Sequence, residues 1–355
     1  MKTYSIAVVP GDGIGREVVP EGLRVLDAVS ARFGFALRYS HFDWSCETYR
    51  STGRMMPEDG LQQLQQHDAI FLGAVGYPGV PDHISLWGLL IPIRRAFDQY
   101  VNLRPVRLLP GVPCQLKDRH PGDIDFWVVR ENTEGEYSQI GGRFHEGSDD
   151  EFVIQEAIFT RKGTDRIMRY AFELAQKLDR LHVTSATKSN GIFYSMPFWD
   201  ERFAAMAARY PHVRTDQYHV DILAARFVMT PERFDVVVGS NLFGDILSDL
   251  GPGVTGTIAV APSANINPER RFPSMFEPVH GSAPDIAGRG IANPVGQIWS
   301  ASMMLEHLGE GAAAAAIMQA IESVLSVPDG ARTPDLGGRA STTQLGTAIA
   351  DAVRD

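Results

Sequence analysis

Asp245 and Asp249 stand four residues apart in DVVVGSNLFGDILSDLGPG, residues 235–253, so both carboxylates share one face of a helix. Two like charges placed this way cost about 0.2–0.5 kcal/mol unless something compensates them. A divalent cation would do so, because carboxylate oxygens are the ligands that Mg2+ or Mn2+ prefers. From spacing alone, a solvated acidic face with Asp245 near the positive start of the helix is the alternative. Arg94, Arg95, Arg104 and Arg107 fall within residues 82–108, and Arg130 ends the apolar run FWVV in FWVVRENTEGEYS. Arginine suits bidentate capture of a carboxylate. Each of these arginines also reads, by itself, as a surface charge, although a charge at the end of a buried run tends to face a cleft. Tyr137 follows Arg130 by seven residues in a Gly-containing loop, and Lys188 closes the strand-like HVTSATK. A lysine there is a candidate buried base, since burial lowers its pKa toward the working range; a surface lysine is the plainer reading.

The elements that must position these groups alternate between strand and helix. Residues 236–238 are a β-branched run that reads as a buried strand, broken by Gly239, Ser240 and Asn241. A helical pattern follows, with Leu242, Ile246, Leu247 and Leu250 on one apolar face. Residues 5–9 predict a strand running into PGDGIG, whose Gly11, Gly13 and Gly15 allow a tight turn or close approach of a ligand. Their spacing is Gly-x-Gly-x-Gly, not the Gly-x-Gly-x-x-Gly dinucleotide fingerprint. Residues 16–29 look helical, with Pro20 expected to kink or shorten the helix. A further strand over 69–72 leads into GAVGYPG, and residues 164–178 form an amphipathic helix. Asp221 lies in a mixed segment with Tyr218, Val220, Ile222 and Leu223. Residues 141–160, with alternating Phe152 and Ile154, read as an exposed arm containing a strand for dimerisation. The Gly- and Pro-rich FEPVHGSAPDIAGRGIANP, residues 276–294, reads as an ordered ligand-binding loop. A helix over 312–325 and a closing helix after Ser341 and Gln344, in capping-box spacing, complete the chain. This alternation predicts an α/β fold with a parallel sheet, whose ligands gather at the carboxyl ends of the strands.

The whole chain sets outer bounds. At 355 residues it suits one large or two medium domains. A net charge of −10 argues against non-specific nucleic-acid binding, so an anionic substrate needs a local arginine cluster. Cys46 and Cys114 are the only cysteines, which leaves no disulfide framework and no cysteine-based zinc site. The first apolar run breaks at Pro10, so neither a signal peptide nor a membrane span is expected, and a cytoplasmic protein is.

Six motifs occur in one order: PGDGIG, the paired Arg94 and Arg104 ending in NLRP, RENTEGEY, the Lys188 strand, NLFGDILSDL, and EPVHGSAPDIAG with ANP. Together they resemble the β-decarboxylating dehydrogenases, the family of isopropylmalate, isocitrate, tartrate and D-malate dehydrogenases. SLWGLL followed by FDQYVNLRPVRL looks most like the tartrate and D-malate branch. The resemblance implies an α/β, isopropylmalate-dehydrogenase-like two-domain fold that is not Rossmann. Residues 1–99 plus 257–355 would form a discontinuous cofactor-binding domain, and 100–256 a small domain with the arm. It implies a homodimer in which Lys188 and Asp221 reach the partner's active site. By the same resemblance Arg94, Arg104 and Arg130 hold substrate carboxylates, and Asp221, Asp245 and Asp249 bind Mg2+ or Mn2+. Lys188 takes the hydroxyl proton and Tyr137 protonates the enolate carbon. Asp285 and Ile286 match positions that select NAD, His280 and Asn293 match adenosine-contacting positions, and Gly281, Ser282 and Ala283 belong to the same cofactor loop. Activation by K+ is implied by the family alone. Trp87 falls where relatives meet the substituent at substrate C3, so its bulk favours small diacids such as D-malate or tartrate; packing in the core is the alternative role. Oxidation of such a diacid with β-decarboxylation of D-malate is the expected activity. 3-Isopropylmalate dehydrogenase and a catalytically silent nucleotide-binding homologue are the alternatives.

Overall fold

The computed structural model describes residues 2–355. Its strands are β1 (Thr3–Gly11), β2 (Ala36–His41), β3 (Ala69–Ala74), β4 (Val101–Arg107), β5 (Asp125–Glu131), β6 (Gly141–Phe144), β7 (Phe152–Gln155), β8 (His182–Thr187), β9 (Arg214–His219), β10 (Val236–Gly239), β11 (Pro262–Ile266) and β12 (Ser274–Pro278). The helices are α1 (Gly15–Phe33), α2 (Cys46–Thr52), α3 (Gly60–Leu64), α4 (Asp82–Ser85), α5 (Ile91–Ala96), α6 (Arg161–Lys177), α7 (Ser195–Ala207), α8 (Val220–Met229), α9 (Asn241–Thr255), α10 (Val295–Leu308), α11 (Gly311–Ser326) and α12 (Thr342–Arg354). Ten strands form one sheet in the order β2-β1-β3-β12-β11-β4-β5-β10-β8-β9. The expected parallel sheet is thus only mostly parallel: β11 runs antiparallel to both β12 and β4, and β4 runs antiparallel to β5. The sheet's two flanks are parallel. Interior strands β3 and β10 are apolar and fully buried because helices cover the sheet, whereas edge strands β2 and β9 are polar and partly exposed.

The chain builds one flank, crosses to the other through β4, and returns through β11. Helices α1, α10, α11 and α12 pack with one another over the first flank, and α6 to α9 cover the second. Pro20 lies inside α1 without shortening it. It sits on the exposed side of the helix, where a carbonyl left without its N–H partner can bond to water. The arm is a separate hairpin in which β6 and β7 pair antiparallel and turn Phe152, Val153 and Ile154 to solvent. The capping box at α12 is complete, with the Ser341 hydroxyl accepting from the Gln344 N–H and the Gln344 side chain returning to the Ser341 N–H. No described helix is long and apolar enough to cross a membrane.

Candidate active site

Register brings the arginines together. On antiparallel β4 and β5, Asn102 lies opposite Arg130 and Arg104 opposite Val128, so the two arginines emerge on the same face two residues apart. Helix α9 lies across that face. Its N-terminus is fixed by Ser240, whose hydroxyl accepts from the Phe243 N–H and donates to Glu136 at 2.7 Å, while Glu136 also accepts from the Leu242 N–H at 3.1 Å. The buried stripe of α9 includes Phe243, Gly244, Leu247, Ser248 and Gly251. Ile246, expected on the apolar face, is instead exposed: small and polar residues turn inward because arginine stems fill the space beneath them. At Gly244 even a Cβ would lie 2.5 Å from Arg130 Cβ.

Arg130 is 2% exposed; its Nη2 and Nε donate to Asn241 Oδ1 at 2.7 and 3.0 Å, and its Nη1 pairs with Asp245. Arg104 donates to Ser248 Oγ at 2.9 Å and Asp249 Oδ1 at 2.8 Å, and faces Asp245 at 3.7 Å. Buried Arg94, on α5, pairs with buried Glu277 at 2.8 Å. The Tyr137 hydroxyl donates to the other Asp245 oxygen at 2.6 Å, and the Arg130 guanidinium lies 5.3 Å from its ring centroid. Burial works to raise the Asp245 pKa, but Arg130, Arg104 and the Tyr137 hydroxyl outweigh it and hold the carboxyl below its ordinary range. Asp249 sits above its ordinary range, through burial and repulsion from Asp245, against the pull of Arg104. Burial and the neighbouring Arg104 and Arg94 lower Arg130 to about 10, with Asp245 opposing, which leaves it charged at neutral pH. Burial and the Asp245 charge push Tyr137 up to about 12, so its proton stays on.

Asp245 and Asp249 fit a divalent cation: two hard carboxylates on one helix face, held close by cations that a bound ion would displace. No group of three His, Cys, Asp or Glu side chains among the described residues is placed to share a cation. Asp221 lies instead in the first turn of α8, where it accepts from Lys188 Nζ at 2.8 Å. The lysine expected to be buried is thus partly exposed within one chain and paired to an aspartate that is more exposed still. That pairing, through the hydrogen bond first, lowers the Asp221 pKa. Among the described residues neither group bonds to Asp245, Asp249, Tyr137 or the three buried arginines.

The glycine-rich turns converge on a second region. Gly11 and Gly13 have φ of +72° and +52°, and a Cβ on Gly13 would lie 2.1 Å from the Ser282 carbonyl oxygen, which accepts from the Ile14 N–H at 2.9 Å. Buried Asp12 accepts from the Cys46 and Gly76 N–H groups and so ties the exits of β1 and β3 together. A cleft of about 740 Å³ opens between residues 75–82 and 281–284, including Gly281, Ser282 and Ala283. Buried His280 faces the Gly281 carbonyl through Nδ1 at 2.9 Å, which leaves Nε2 buried and unpartnered. Burial lowers its pKa, so the neutral ring presents an unused acceptor. Asn293 donates to Asp335 at 3.0 Å and accepts from the Val295 N–H at the start of α10. Asp285 is exposed and Ile286 half-buried in a run of turns.

Trp87 is half-buried in a π-helical turn, Leu86–Leu90, that leads straight into α5. Pro92 stands in the first turn of α5 and has no N–H for the carbonyl four residues back; the Ile91 N–H bonds five residues back to Leu86. Sequence reasoning passed over Glu277, Asn241, Ser248 and Glu136. Asn241 and Glu277 were visible as polar residues inside the quoted motifs, but their partners lie 111 and 183 residues away.

An open α/β sheet outside the Rossmann pattern, with an arginine–aspartate cluster at its centre and a glycine-lined cleft beside it, is the architecture of a non-Rossmann dehydrogenase. The chain belongs to the isocitrate/isopropylmalate dehydrogenase family, whose profile matches residues 5–349. It is 64% identical over 356 residues to D-malate dehydrogenase [decarboxylating] of Escherichia coli (strain K12), covering 98% of each chain. It is 62% identical to tartrate dehydrogenase/decarboxylase of Pseudomonas putida over 99% of this chain and 98% of the relative. The crystal structure of isocitrate dehydrogenase from Methylococcus capsulatus superposes with a TM-score of 0.89 at 34% identity, over 99% of this chain and all of that one.

Proposed function

We propose that the protein catalyses NAD-dependent, divalent-metal-dependent oxidation of a small 2-hydroxy diacid, tartrate or D-malate, with β-decarboxylation of D-malate to pyruvate and CO2. The observation that carries this reading is the convergence of buried Arg94, Arg104 and Arg130 on Asp245, Asp249, Glu277 and Tyr137. The names of the two relatives above 60% identity support the substrate class. The three guanidiniums bind and orient the two substrate carboxylates, which take over from the Asp245, Asp249 and Glu277 carboxylates they now face. Mg2+ or Mn2+, held by Asp245, Asp249 and the partner's Asp221, supplies Lewis-acid polarisation of the C2 oxygen and stabilises charge developing there. The cleft between residues 75–82 and the Gly281–Pro284 segment would hold NAD, which would supply the hydride acceptor for C2. Lys188, contributed to the site of the other subunit, accepts the hydroxyl proton directly or through water. When the C3–carboxylate bond breaks as CO2 leaves, its electron pair forms a C3–H bond with the proton that Tyr137 gives up.

Asp285 accepts from a ribose hydroxyl and repels a 2′-phosphate, which favours NAD, with Ile286, Ala283, Ser282, Gly281, His280 and Asn293 shaping the rest of the cofactor site. Trp87 narrows the space at C3. The division into 1–99 plus 257–355 and 100–256 places strands β2-β1-β3-β12-β11 in one part and β4-β5-β10-β8-β9 in the other, with the site at their seam. The same reading makes the enzyme a cytoplasmic homodimer activated by K+.

The test is NADH formation by purified protein with Mn2+ and K+, comparing D-malate, L-tartrate, meso-tartrate and 3-isopropylmalate, each with and without EDTA. Turnover of the small diacids, lost with EDTA, is expected. A preference for 3-isopropylmalate would refute the Trp87 argument, and stoichiometric NAD binding with no turnover of any diacid would refute the catalytic reading.

A further inference from the structure

Arg95 has no role in the site as described, yet its surroundings are not those of a solvated surface charge. It follows buried Arg94 on α5, is exposed, and forms no ion pair among the described residues. Its Nη2 donates to the main-chain carbonyl of Tyr137 at 2.6 Å, and its guanidinium lies 5.0 Å from the Trp87 ring centroid. Tyr137 is therefore gripped at three points: its hydroxyl by Asp245, its ring by Arg130 and its backbone by Arg95.

The first two grips cannot persist unchanged in the working enzyme. Asp245 is drawn to a cation and Arg130 to a substrate carboxylate, so the hydroxyl loses its acceptor and the ring its cation. The Arg95 bond involves neither a charged ligand group nor the substrate. It joins the Tyr137 loop to α5 and, through the stacked guanidinium, to Trp87, the side chain that limits the space at C3. We propose that Arg95 is a positioning residue: it holds the Tyr137 backbone so that the hydroxyl released from Asp245 reaches C3 and not solvent. This inference rests on the decarboxylating reading given above.

The test uses the full-length enzyme with NAD, Mg2+ and K+, and the variants Arg95→Met, Arg95→Gln and Arg95→Lys. Methionine keeps an apolar stem against Trp87 but has no donor, whereas glutamine and lysine keep one. With D-malate, wild type is expected to form one pyruvate per NADH. In Arg95→Met, kcat should fall about ten-fold with KM changed less than about threefold. Pyruvate per NADH should drop below one, with oxaloacetate trapped as its hydrazone making up the difference. Simple oxidation of L-tartrate, which requires no proton at carbon, should fall less than about threefold. Arg95→Gln and Arg95→Lys should recover part of the pyruvate yield. Equal loss on both substrates, or a yield that stays at one in Arg95→Met, would overturn the positioning role. Circular dichroism and Tm identify a variant that has merely unfolded, and then Arg95→Gln decides the matter. A wild type that oxidises no D-malate would instead overturn the functional reading.

Discussion

Asp245 accepts from Arg130 through one oxygen and from Tyr137 through the other, with Arg104 at 3.7 Å. The facing cations hold this half-buried carboxylate in its ionised form, and it in turn helps to balance the buried Arg130. The cluster is a store of mutually satisfied charge that a cation and a dianionic substrate can enter by exchange of partners. Asp245→Asn keeps the shape and removes the charge. It should lower the stability of the ligand-free protein by about 1–3 kcal/mol, because Arg130 loses its counter-charge while remaining buried. Wild type should be stabilised by Mn2+ at one hundred times its Kd by about 2.7 kcal/mol, and the variant should show no such gain. Thermal melts with and without Mn2+, read without substrate, check both. A variant that still melts higher in Mn2+ would remove Asp245 from the metal site.

Helix α9 acts as a unit. Ser240, Glu136 and Asn241 fix its start, and Gly244 lets its first turns rest on the Arg130 stem. Gly244→Ala should cost about 1–3 kcal/mol through overpacking even though alanine is the better helix former. It should also reduce turnover at least ten-fold, because it pushes Asp245 and Asp249 off the arginines. A urea titration beside steady-state kinetics tests this, and unchanged values in both would show that the helix can slide at no cost. Position along an element also explains what could be read in the sequence. Arg104 and Arg107 were equal candidates by type, but three residues along a strand place them on opposite faces, and only Arg104 meets α9. Arg94 and Arg95 differ because one helical step of about 100° carries the second out of the core. Strands 5–9 and 236–238 and the capping box at Ser341 were legible because burial and local bonding leave a local pattern. The antiparallel turn of β4 and β11 left none, since strand direction is set by partners far away in sequence. The buried face of α9 was misread at Ile246 because hydrophobicity ranks isoleucine above the glycines and serine that pack against arginine stems.

At the scale of the whole molecule, Asp245, Asp249 and Glu277 face the arginines, while Lys188 and Asp221 pair with each other and bond to none of them. The proposed mechanism would bring those two into the cluster from a second copy of the chain. The hairpin of β6 and β7 exposes Phe152, Val153 and Ile154, the last two by 68% and 41%, and α8 and α9 expose Met229 and Ile246. A two-stranded hairpin with apolar side chains in water is marginal unless something covers it, and a second copy of the chain under two-fold symmetry would cover both features. Shared sites make a quantitative prediction. Lys188→Met and Asp245→Asn should each be nearly inactive alone. In a mixed dimer one site carries both substitutions and the other carries neither. Random reassociation of equal amounts makes half of the dimers mixed, so about a quarter of wild-type activity should return. Mixing the two proteins after mild dissociation and assaying D-malate-dependent NADH formation measures this directly. If each chain completed its own site, every site in the mixture would remain defective and no activity would return at any ratio.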